Sequence, residues 1–242
     1  MKVVILCGGL GTRLGGLTRD IPKPMLAVAG RPYLEYVIES FLERGFREFV
    51  LLTGYRSDVI EEHFATSPLH FEFSREDKPL GTGGALLQAR PLLGDRFLLT
   101  YGDVLRRFDY DRFVREHEHN ALAVYPKKTH GNAEVEEGRV IRYDKQAPEL
   151  PYIDAGFAVI ENSALDLLEA VPRGSSGSSG FSATPRSPEE PPLQEPPLSF
   201  EEIVYAELAR RLDLAAEIVD HEFFDIGTPE ELTRTCRALE RS

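Results

Sequence analysis

The first hundred residues alternate between short apolar runs and segments with helical periodicity. Val3-Val4-Ile5-Leu6 is an unbroken apolar run that ends at Gly8-Gly9, which is typical of a strand buried on both faces of a parallel sheet. From Pro32 to Arg44 the apolar residues recur at helical spacing, and Gly45 follows as a C-cap. Further strands are predicted near residues 49–53, 71 and 97–101, with helices near 58–64 and 84–89. This alternation predicts a doubly wound α/β sheet.

After Asn120 the pattern changes to short β-rich stretches, which cover residues 121–125, 133–135, 140–143 and 152–160. We expect a mixed or antiparallel extension there that holds the variable part of a substrate. A helix is predicted from Ser199 to Arg211, where Ser199 and Glu202 form a capping box. A strand pair around residues 215–225 and a last helix after Thr228 complete the pattern.

Residues 173–198 interrupt this pattern with a glycine- and serine-rich run followed by a proline-rich run. A tract of this composition buries too little apolar surface to order itself, so we predict a flexible linker or insertion. Its first part resembles an engineered spacer. Residues 1–172 and 199–242 are then expected to form a single catalytic domain.

The chain has 242 residues, of which 42% are apolar, and this is enough for one domain with a sizeable core. A balance of 28 Lys and Arg against 40 Asp and Glu gives a net charge of −12, so no nucleic-acid partner is expected. No apolar run approaches the ~20 residues that cross a bilayer, so no membrane partner is expected either. Cys7 and Cys236 lack metal-like spacing and no signal-peptide pattern is seen, which predicts a cytoplasmic protein. A homo-oligomer is compatible with these features.

A glycine-rich loop follows the first strand directly, with the sequence Gly8-Gly9-Leu10-Gly11-Thr12-Arg13. Its flexible backbone can turn N–H groups toward an anion, while Arg13 supplies a fork of donors, as in a phosphate site. The loop is neither a dinucleotide fingerprint, because Leu14 stands where a third glycine is needed, nor a P-loop. A tight turn with a solvated arginine remains an alternative for this loop alone.

Pro22-Lys23-Pro24 follows one short loop later, and its two prolines fix the backbone on either side of the lysine. Together with the glycine loop it resembles the signature of the sugar-1-phosphate nucleotidyltransferases. The resemblance implies that the glycine loop wraps the nucleotide, that Arg13 binds the leaving pyrophosphate portion and that Lys23 contacts the reacting phosphates. Both cations are expected on a polar loop outside the core. It also implies a Rossmann-like mixed sheet of the nucleotide-diphospho-sugar transferase, or glycosyltransferase-A-like, type, with a small β-rich sugar-binding extension.

Two aspartates are candidate metal ligands. Asp103 comes after a strand and Gly102, at the end of the sheet where open α/β folds bind ligands, and Asp225 stands in Asp225-Ile-Gly-Thr-Pro229. Taken alone, these residues are also compatible with a turn aspartate and a helix cap. The family resemblance matches both to a pair of aspartates that bind Mg²⁺, a hard cation that bridges phosphate oxygens. We therefore expect Mg²⁺ as the cofactor.

A second loop at a strand end, residues 76–85, resembles the nucleobase loop of the family. In uridylyl- and thymidylyltransferases the position of Glu76 is usually glutamine, whereas a carboxylate only accepts hydrogen bonds. Guanine presents two neighbouring donors, so Glu76 favours guanine, although a surface glutamate is an equal alternative. The nucleotide-binding residues that the resemblance implies are Leu6, Gly8, Gly9, Gly11, Thr12, Arg13, Glu76, Gly81, Thr82 and Gly102.

For the sugar, the resemblance points to five residues, Gly131, Asp144, Lys145, Asp154 and Gly156. Asp144 departs from the glutamate that usually precedes the lysine in this family. The stretches 79–84 and 152–156 are most similar to manno-heptose 1-phosphate and mannose 1-phosphate guanylyltransferases.

The predicted reaction joins a nucleoside triphosphate to a sugar 1-phosphate and releases pyrophosphate, with Arg13, Lys23, Asp103 and Asp225 as catalytic residues. A sugar phosphate is largely a dianion at neutral pH, since its second pKa is about 6, and needs no general base. GTP with a manno-heptose or mannose 1-phosphate is the leading hypothesis. The same chemistry with UTP, dTTP or CTP and a glucose or N-acetylamino sugar, and a catalytically silent nucleotide-sugar-binding subunit, remain alternatives.

Overall fold

The structure is a computed structural model that describes residues 1–9, 11–147, 149–171, 197–220 and 223–240. The strands are β1 (Lys2–Leu6), β2 (Ala27–Val28), β3 (Arg31–Pro32), β4 (Glu48–Thr53), β5 (His70–Arg75), β6 (Arg96–Tyr101), β7 (Val104–Arg106), β8 (Ala121–Gly131), β9 (Ala133–Glu136), β10 (Arg139–Tyr143), β11 (Leu150–Glu161), β12 (Ala215–Ile218) and β13 (Phe223–Asp225). The α-helices are α1 (Tyr33–Leu42), α2 (Ser57–Phe64), α3 (Gly81–Ala89), α4 (Tyr110–Glu116), α5 (Asp166–Glu169), α6 (Ala206–Arg210) and α7 (Pro229–Leu239).

A mixed sheet with the strand order β5-β4-β1-β6-β11-β8-β12-β10-β9 runs through the described chain. The first four of these strands are parallel, and β11 joins β6 in antiparallel orientation. The chain builds outward from β1 through β4 to β5 and then returns to place β6 on the other side of β1. Such a reversal opens a crevice at the carboxyl ends of the strands, where α/β sheets bind ligands.

Helices cover both faces of the sheet, as the unbroken apolar strands predict. Val3 and Ile5 of β1 pack into a cluster that includes residues of α1 and α2, whereas Val4 between them packs into a second cluster with residues of α3 and α6. Because successive strand residues point to opposite faces, both faces of β1 must be apolar. The predicted doubly wound α/β fold is confirmed.

The predicted strand pair at residues 215–225 is wrong. The strand β12 lies in the main sheet, parallel to β8, and β13 pairs with β7 in a separate two-stranded ribbon. Short apolar stretches show that a strand exists but carry no information on its partner, which is why adjacency along the chain misled the prediction. The sequence pattern also missed α4, which Asp109 caps by accepting the backbone N–H of Arg112.

Most of the predicted linker, residues 173–196, lies outside the described part of the chain. Its last two residues, Pro197 and Leu198, are described, and the Leu198 N–H donates to the Leu80 carbonyl at 3.0 Å. Leu198 is therefore hydrogen-bonded to the loop of residues 76–85, whereas the prediction had placed it in a flexible linker. A π-helical turn, Glu201–Tyr205, then leads into α6, and Ser199 Oγ accepts the Glu202 N–H at 3.3 Å, which is one half of the predicted capping box.

Candidate active site

A cavity of about 460 Å³ opens at the carboxyl ends of β1, β4 and β6. Both loops singled out by the sequence border it, although they are distant along the chain. The predicted residues that line it are Leu6, Gly8, Gly9, Gly11, Thr12, Arg13, Lys23, Glu76, Gly81, Thr82 and Asp103. The fold therefore brings cations, carboxylates and glycine backbone together in one place.

Gly11 allows the glycine loop to lie directly against the lysine segment. Its φ of 64° is in the left-handed region, and a Cβ there would come within 3.0 Å of the Thr18 side chain and 3.2 Å of Lys23 Cβ. Any larger residue would push the loop away from Lys23.

Arg13 extends from this loop into the cavity and is exposed, and the described chain offers its side chain no hydrogen bond or ion pair. A free guanidinium in this position can bind phosphate oxygens.

Lys23 is buried, with 8% of its surface exposed, so the expectation that it lies outside the core is wrong. Pro22 has extended dihedral angles (φ −65°, ψ 145°) and starts a single 3₁₀ turn, Lys23–Met25. This turn directs the ammonium inward, where Nζ donates to Asp103 Oδ2 at 2.5 Å. Without the carboxylate a buried lysine would be costly, and the ion pair is the reason that it can lie there.

Asp225 reaches the same place through the ribbon of β7 and β13. In that ribbon Asp225 pairs with Val104, the residue after Asp103. Its Oδ1 accepts the Gly227 N–H, which orients the carboxyl. Burial raises the pKa of Asp225 above its ordinary value, and the charge of Asp103 adds to the rise. The two carboxylates are thus near enough for their charges to interact.

The donor set fits Mg²⁺, because carboxylate oxygens are hard ligands and the cation would relieve the repulsion between Asp103 and Asp225. Within the ranges that the structure covers, no group of three or more His, Cys, Asp or Glu forms a complete metal cage. Magnesium characteristically takes only one or two carboxylates and completes its coordination with water and phosphate oxygens. The pair therefore suits a cation that is held jointly with a phosphorylated substrate.

Glu76 directs a carboxylate into the cavity from the end of β5. Its backbone N–H donates to the Thr53 carbonyl at 2.8 Å, and Oε2 lies where the Cβ of an alanine replacing Gly8 would approach it to 3.0 Å. Oε1 is buried and has no hydrogen-bond partner among the described residues. Burial raises the pKa of Glu76, while the Leu80 N–H opposes the rise. Oε1 is therefore an acceptor without a donor among the described residues.

At two predicted nucleotide-binding glycines, Gly81 and Gly102, neighbouring atoms leave no room for a side chain. Gly81 has a φ of 79°, and a Cβ there would lie 2.4 Å from the Leu198 carbonyl oxygen. Gly102, which was predicted to contact the nucleotide, is buried, and its Cβ would lie 2.9 Å from Cys7 Sγ. Gly81 borders the cavity, whereas Gly102 lies beneath it, where it permits close packing of β1 and β6.

Three of the predicted sugar residues converge around a carboxylate that the sequence reasoning missed, Glu201. Lys145 Nζ lies 3.0 Å from Glu201 Oε2, and the Thr82 and Tyr101 hydroxyls also donate to this carboxylate. Burial alone would raise the pKa of Glu201, but the Lys145 ammonium and the Tyr101 hydrogen bond hold it below its ordinary value. The charge of Asp154 acts on this group as well. Glu201 thus links the loop of residues 76–85, through Thr82, to the predicted sugar residues.

Gly156 lies at the same place, because a Cβ there would meet Tyr101 Cδ2 at 3.6 Å and Val104 Cγ1 at 3.7 Å. The other two predicted sugar residues, Gly131 and Asp144, make different contacts. Gly131 faces the backbone of β11, where a Cβ would come within 1.8 Å of the Leu150 carbonyl oxygen. Asp144 accepts the Gln146 N–H in a local turn and pairs with Arg142.

The signal for Glu201 was present but ambiguous. Ser199 with Glu202 matches a capping box, which draws attention to Glu202, whereas Glu201 is the residue that is 2% exposed and pairs with the site. A glutamate at the start of a helix is ordinarily an exposed partner of the helix dipole. Only the tertiary contacts distinguish the two neighbours.

Comparison with known proteins agrees with this geometry. The family model described as nucleotidyl transferase matches residues 2–141. The chain is 29% identical over 238 residues to the D-glycero-α-D-manno-heptose 1-phosphate guanylyltransferase of Campylobacter jejuni, covering 96% of each chain. It is 31% identical over 201 residues to a probable glucose-1-phosphate cytidylyltransferase of Bacillus subtilis, covering 69% of this chain and 78% of that one.

The fold is also that of solved structures. A putative glucose-1-phosphate thymidylyltransferase from Bacillus anthracis superposes with a TM-score of 0.80 at 21% identity, covering 100% of this chain and 96% of that chain. The sheet and its flanking helices are therefore those of the nucleotide-diphospho-sugar transferases. Among the described residues no helix is long and apolar enough to cross a membrane. The chain belongs to the nucleotidyl transferase family, and it is a nucleotidyltransferase.

Proposed function

We propose that this nucleotidyltransferase is a sugar-1-phosphate guanylyltransferase, which converts GTP and a manno-configured heptose or mannose 1-phosphate into the GDP-sugar and pyrophosphate. The observation that carries the choice of nucleotide is the Glu76 carboxylate in the cavity, whose Oε1 has no partner in the part of the chain that the structure describes. Similarity to the Campylobacter jejuni guanylyltransferase supports the same choice.

A carboxylate and guanine are complementary in hydrogen bonding. Guanine presents N1–H and an exocyclic amine side by side, and the two oxygens of Glu76 can accept from both. Cytosine, the base named for the Bacillus subtilis relative, presents a single donor group beside ring acceptors, which a carboxylate would repel. Uracil and thymine each offer one ring N–H between two carbonyls. Glu76 therefore favours guanine over the three pyrimidines.

The proposed reaction is an in-line displacement. An oxygen of the sugar phosphate attacks the α-phosphorus of GTP, the new P–O bond forms as the bond to pyrophosphate breaks, and the electron pair leaves with pyrophosphate. No proton is removed from the attacking group, since a phosphate monoester is largely a dianion at neutral pH, with a second pKa of about 6. Catalysis then consists of positioning and charge stabilisation.

Each cation has a distinct proposed role. Arg13 has no hydrogen bond or ion pair with the described residues and borders the cavity, so it can bind the departing pyrophosphate. Lys23 is fixed at the cavity wall by its prolines and ion pair with Asp103, so its ammonium is already in place beside the reacting phosphates. Asp103 and Asp225 would hold Mg²⁺. When bound, the cation supplies Lewis-acid stabilisation of the phosphate oxygens.

Lys145, Asp154 and Gly156 are the proposed sugar contacts, oriented by Glu201. Asp154 accepts the Gly156 N–H at 2.7 Å, so one carboxyl oxygen is fixed and the group is held rigidly. Since Gly131 and Asp144 lie in other surroundings, we assign the sugar to these three residues. The proposed compartment is the cytoplasm, in agreement with the free thiols of Cys7 and Cys236.

The nucleotide assignment is tested by measuring pyrophosphate release with GTP, CTP, UTP and dTTP and a fixed sugar 1-phosphate. The wild type should have the highest kcat/KM with GTP. Glu76→Gln should lower discrimination by roughly 1.5–3 kcal/mol, the range for a hydrogen bond to a charged group. Asp77→Asn, a change at the exposed neighbouring residue, should retain the wild-type preference.

A wild-type preference for CTP, UTP or dTTP would overturn the guanine proposal and leave the family assignment intact. A preference for GTP that Glu76→Gln leaves unchanged would show that the base is recognised elsewhere, most directly by the backbone of the Gly81–Gly84 loop. Absence of turnover with all four nucleotides and every sugar would favour a silent binding subunit.

A further inference from the structure

Arg106 carries a buried guanidinium. Only 5% of its surface is exposed, yet neither Nε nor Nη1 has a hydrogen-bond partner among the described residues. Burial lowers the pKa of this group below its ordinary value. Buried polar atoms are almost always paired, and a charged group without partners is particularly unfavourable. The packing of the described chain therefore does not explain why the Arg106 guanidinium is buried.

The ribbon of β7 and β13 directs Arg106 toward the sugar residues. Leu105 packs into the core with Phe224 opposite it, so the residues on either side of Leu105 must face the other way. Val104 is one of these, and its Cγ1 lies 3.7 Å from the Cβ position of Gly156. Arg106 shares that face, opposite Phe223.

The guanidinium is held in place without using its donors. Its central carbon lies 4.7 Å from the centre of the Phe223 ring, and Tyr110 fixes the strand by donating to the Arg106 carbonyl at 3.0 Å. Asp154 and Asp225 are close enough for their charges to act on Arg106, but neither lies within the 4.0 Å of an ion pair in the described chain. Nε and Nη1 are thus buried and unpaired in the described chain, and a bound ligand oxygen would satisfy them.

We infer that Arg106 is a sugar-specificity residue whose unpaired N–H groups donate to a hydroxyl oxygen of the sugar 1-phosphate, at the end remote from its phosphate. The inference rests on the proposed function, in which Asp225 marks the phosphate end. Along the ribbon Arg106 lies two residues beyond Asp225's partner Val104, a distance of about 6.6 Å, comparable to the length of a sugar ring.

The ligand group is a sugar hydroxyl rather than a second phosphate. Asp154 and Asp225 already surround Arg106 with negative charge, which offsets the guanidinium and would repel an added anion. Uncharged oxygens meet no such repulsion.

The test uses Arg106→Met, which keeps an aliphatic stem over Phe223 and removes every donor. Arg107→Met is the matched control, because Arg107 is the exposed next residue and its guanidinium lies 5.8 Å from the Phe224 ring centre. Substrates are manno-heptose 1-phosphate, mannose 1-phosphate, and the 4-deoxy and 6-deoxy forms of mannose 1-phosphate. The readouts are kcat/KM for each sugar, KM for GTP and the unfolding temperature.

In the wild type and in Arg107→Met, removal of a hydroxyl that Arg106 binds should cost about 10- to 100-fold in kcat/KM. In Arg106→Met the same removal should cost less than about twofold, because the contact is already absent. The variant should keep the wild-type KM for GTP and should not unfold at a lower temperature, since it loses an unpaired buried charge.

Equal hydroxyl penalties in Arg106→Met and the wild type would overturn the inference. A loss in Arg106→Met that is uniform over all the sugars would also overturn it, since that outcome indicates a phosphate contact or a structural role. If the wild type transfers to none of these sugars, the proposed function itself has failed and the inference fails with it.

Discussion

Asp154 offers a prediction in which stability and activity change in opposite directions. Burial raises the pKa of its carboxyl to about 6, the Gly156 N–H opposes the rise and the Glu201 charge adds to it. The folded protein therefore binds this proton more tightly than the unfolded chain, and folding is penalised wherever the carboxyl must ionise. Asp154→Asn removes the charge and keeps an oxygen that can accept the Gly156 N–H.

The magnitude follows from the two pKa values. The difference between the ordinary value of 3.8 and about 6 is about 2 pH units, which corresponds to about 3 kcal/mol. The penalty is absent below pH 3.8, grows between the two values and is complete above pH 6. The Tyr143 hydroxyl donates to Asp154 Oδ2 at 3.3 Å, and loss of that hydrogen bond costs roughly 1 kcal/mol. The variant should gain about 2 kcal/mol at pH 7.5, or about 4–8 °C in Tm.

The assay is thermal unfolding of the wild type and Asp154→Asn at a series of pH values from 4 to 8. The difference in Tm should open as the pH rises and level off above about pH 6. Asp144→Asn is the matched control with the opposite sign, because the Gln146 N–H and the Arg142 side chain lower the pKa of Asp144. That variant should lose stability at neutral pH. In kinetics, Asp154→Asn should raise the KM for the sugar 1-phosphate at least about tenfold.

Three results would refute this reasoning. A Tm difference that does not vary with pH, or a variant that is less stable than the wild type at pH 7.5, would show that the buried charge is not costly. A more stable variant with an unchanged KM for the sugar 1-phosphate would show that Asp154 does not contact the sugar.

Three further predictions concern the phosphates, the metal and the glycine- and proline-rich tract. Arg13→Ala and Lys23→Ala should each lower kcat at least about 100-fold, and only the lysine variant should also change Tm, since Lys23 is buried; near-normal rates in folded variants would contradict the assignment. Asp103→Asn and Asp225→Asn should each abolish magnesium-dependent turnover while nucleotide binding, measured by calorimetry, persists. Unchanged magnesium dependence in either variant would remove that residue from the pair. Deletion of residues 174–196 should leave kcat/KM nearly unchanged, because this composition buries little apolar surface. Loss of turnover in a deletion variant that still folds would show that the tract contributes to the site.

Much of the fold and half of the site could be predicted from local sequence. The apolar run of β1 followed by glycines predicts a buried strand with a loop at its carboxyl end, and Pro22-Lys23-Pro24 predicts a fixed lysine. These features are local, because backbone freedom at glycine, restriction at proline and apolar periodicity act within a few residues. The phosphate-binding half of the site consists of such features.

The remaining half depended on which strands pair. Asp225 joins Asp103 only because β13 pairs with β7, and the same ribbon places Arg106 on the face that Val104 turns toward Gly156. Glu201 looks like an ordinary helix-start residue until the sheet brings Lys145, Thr82 and Tyr101 to it. Periodicity determines which face of a strand is apolar, whereas the choice of partner follows from the packing of the whole domain. The sequence by itself therefore determined the helices, the strands and the glycine-rich loop at residues 8–13. The tertiary structure decided which distant polar residues share one site.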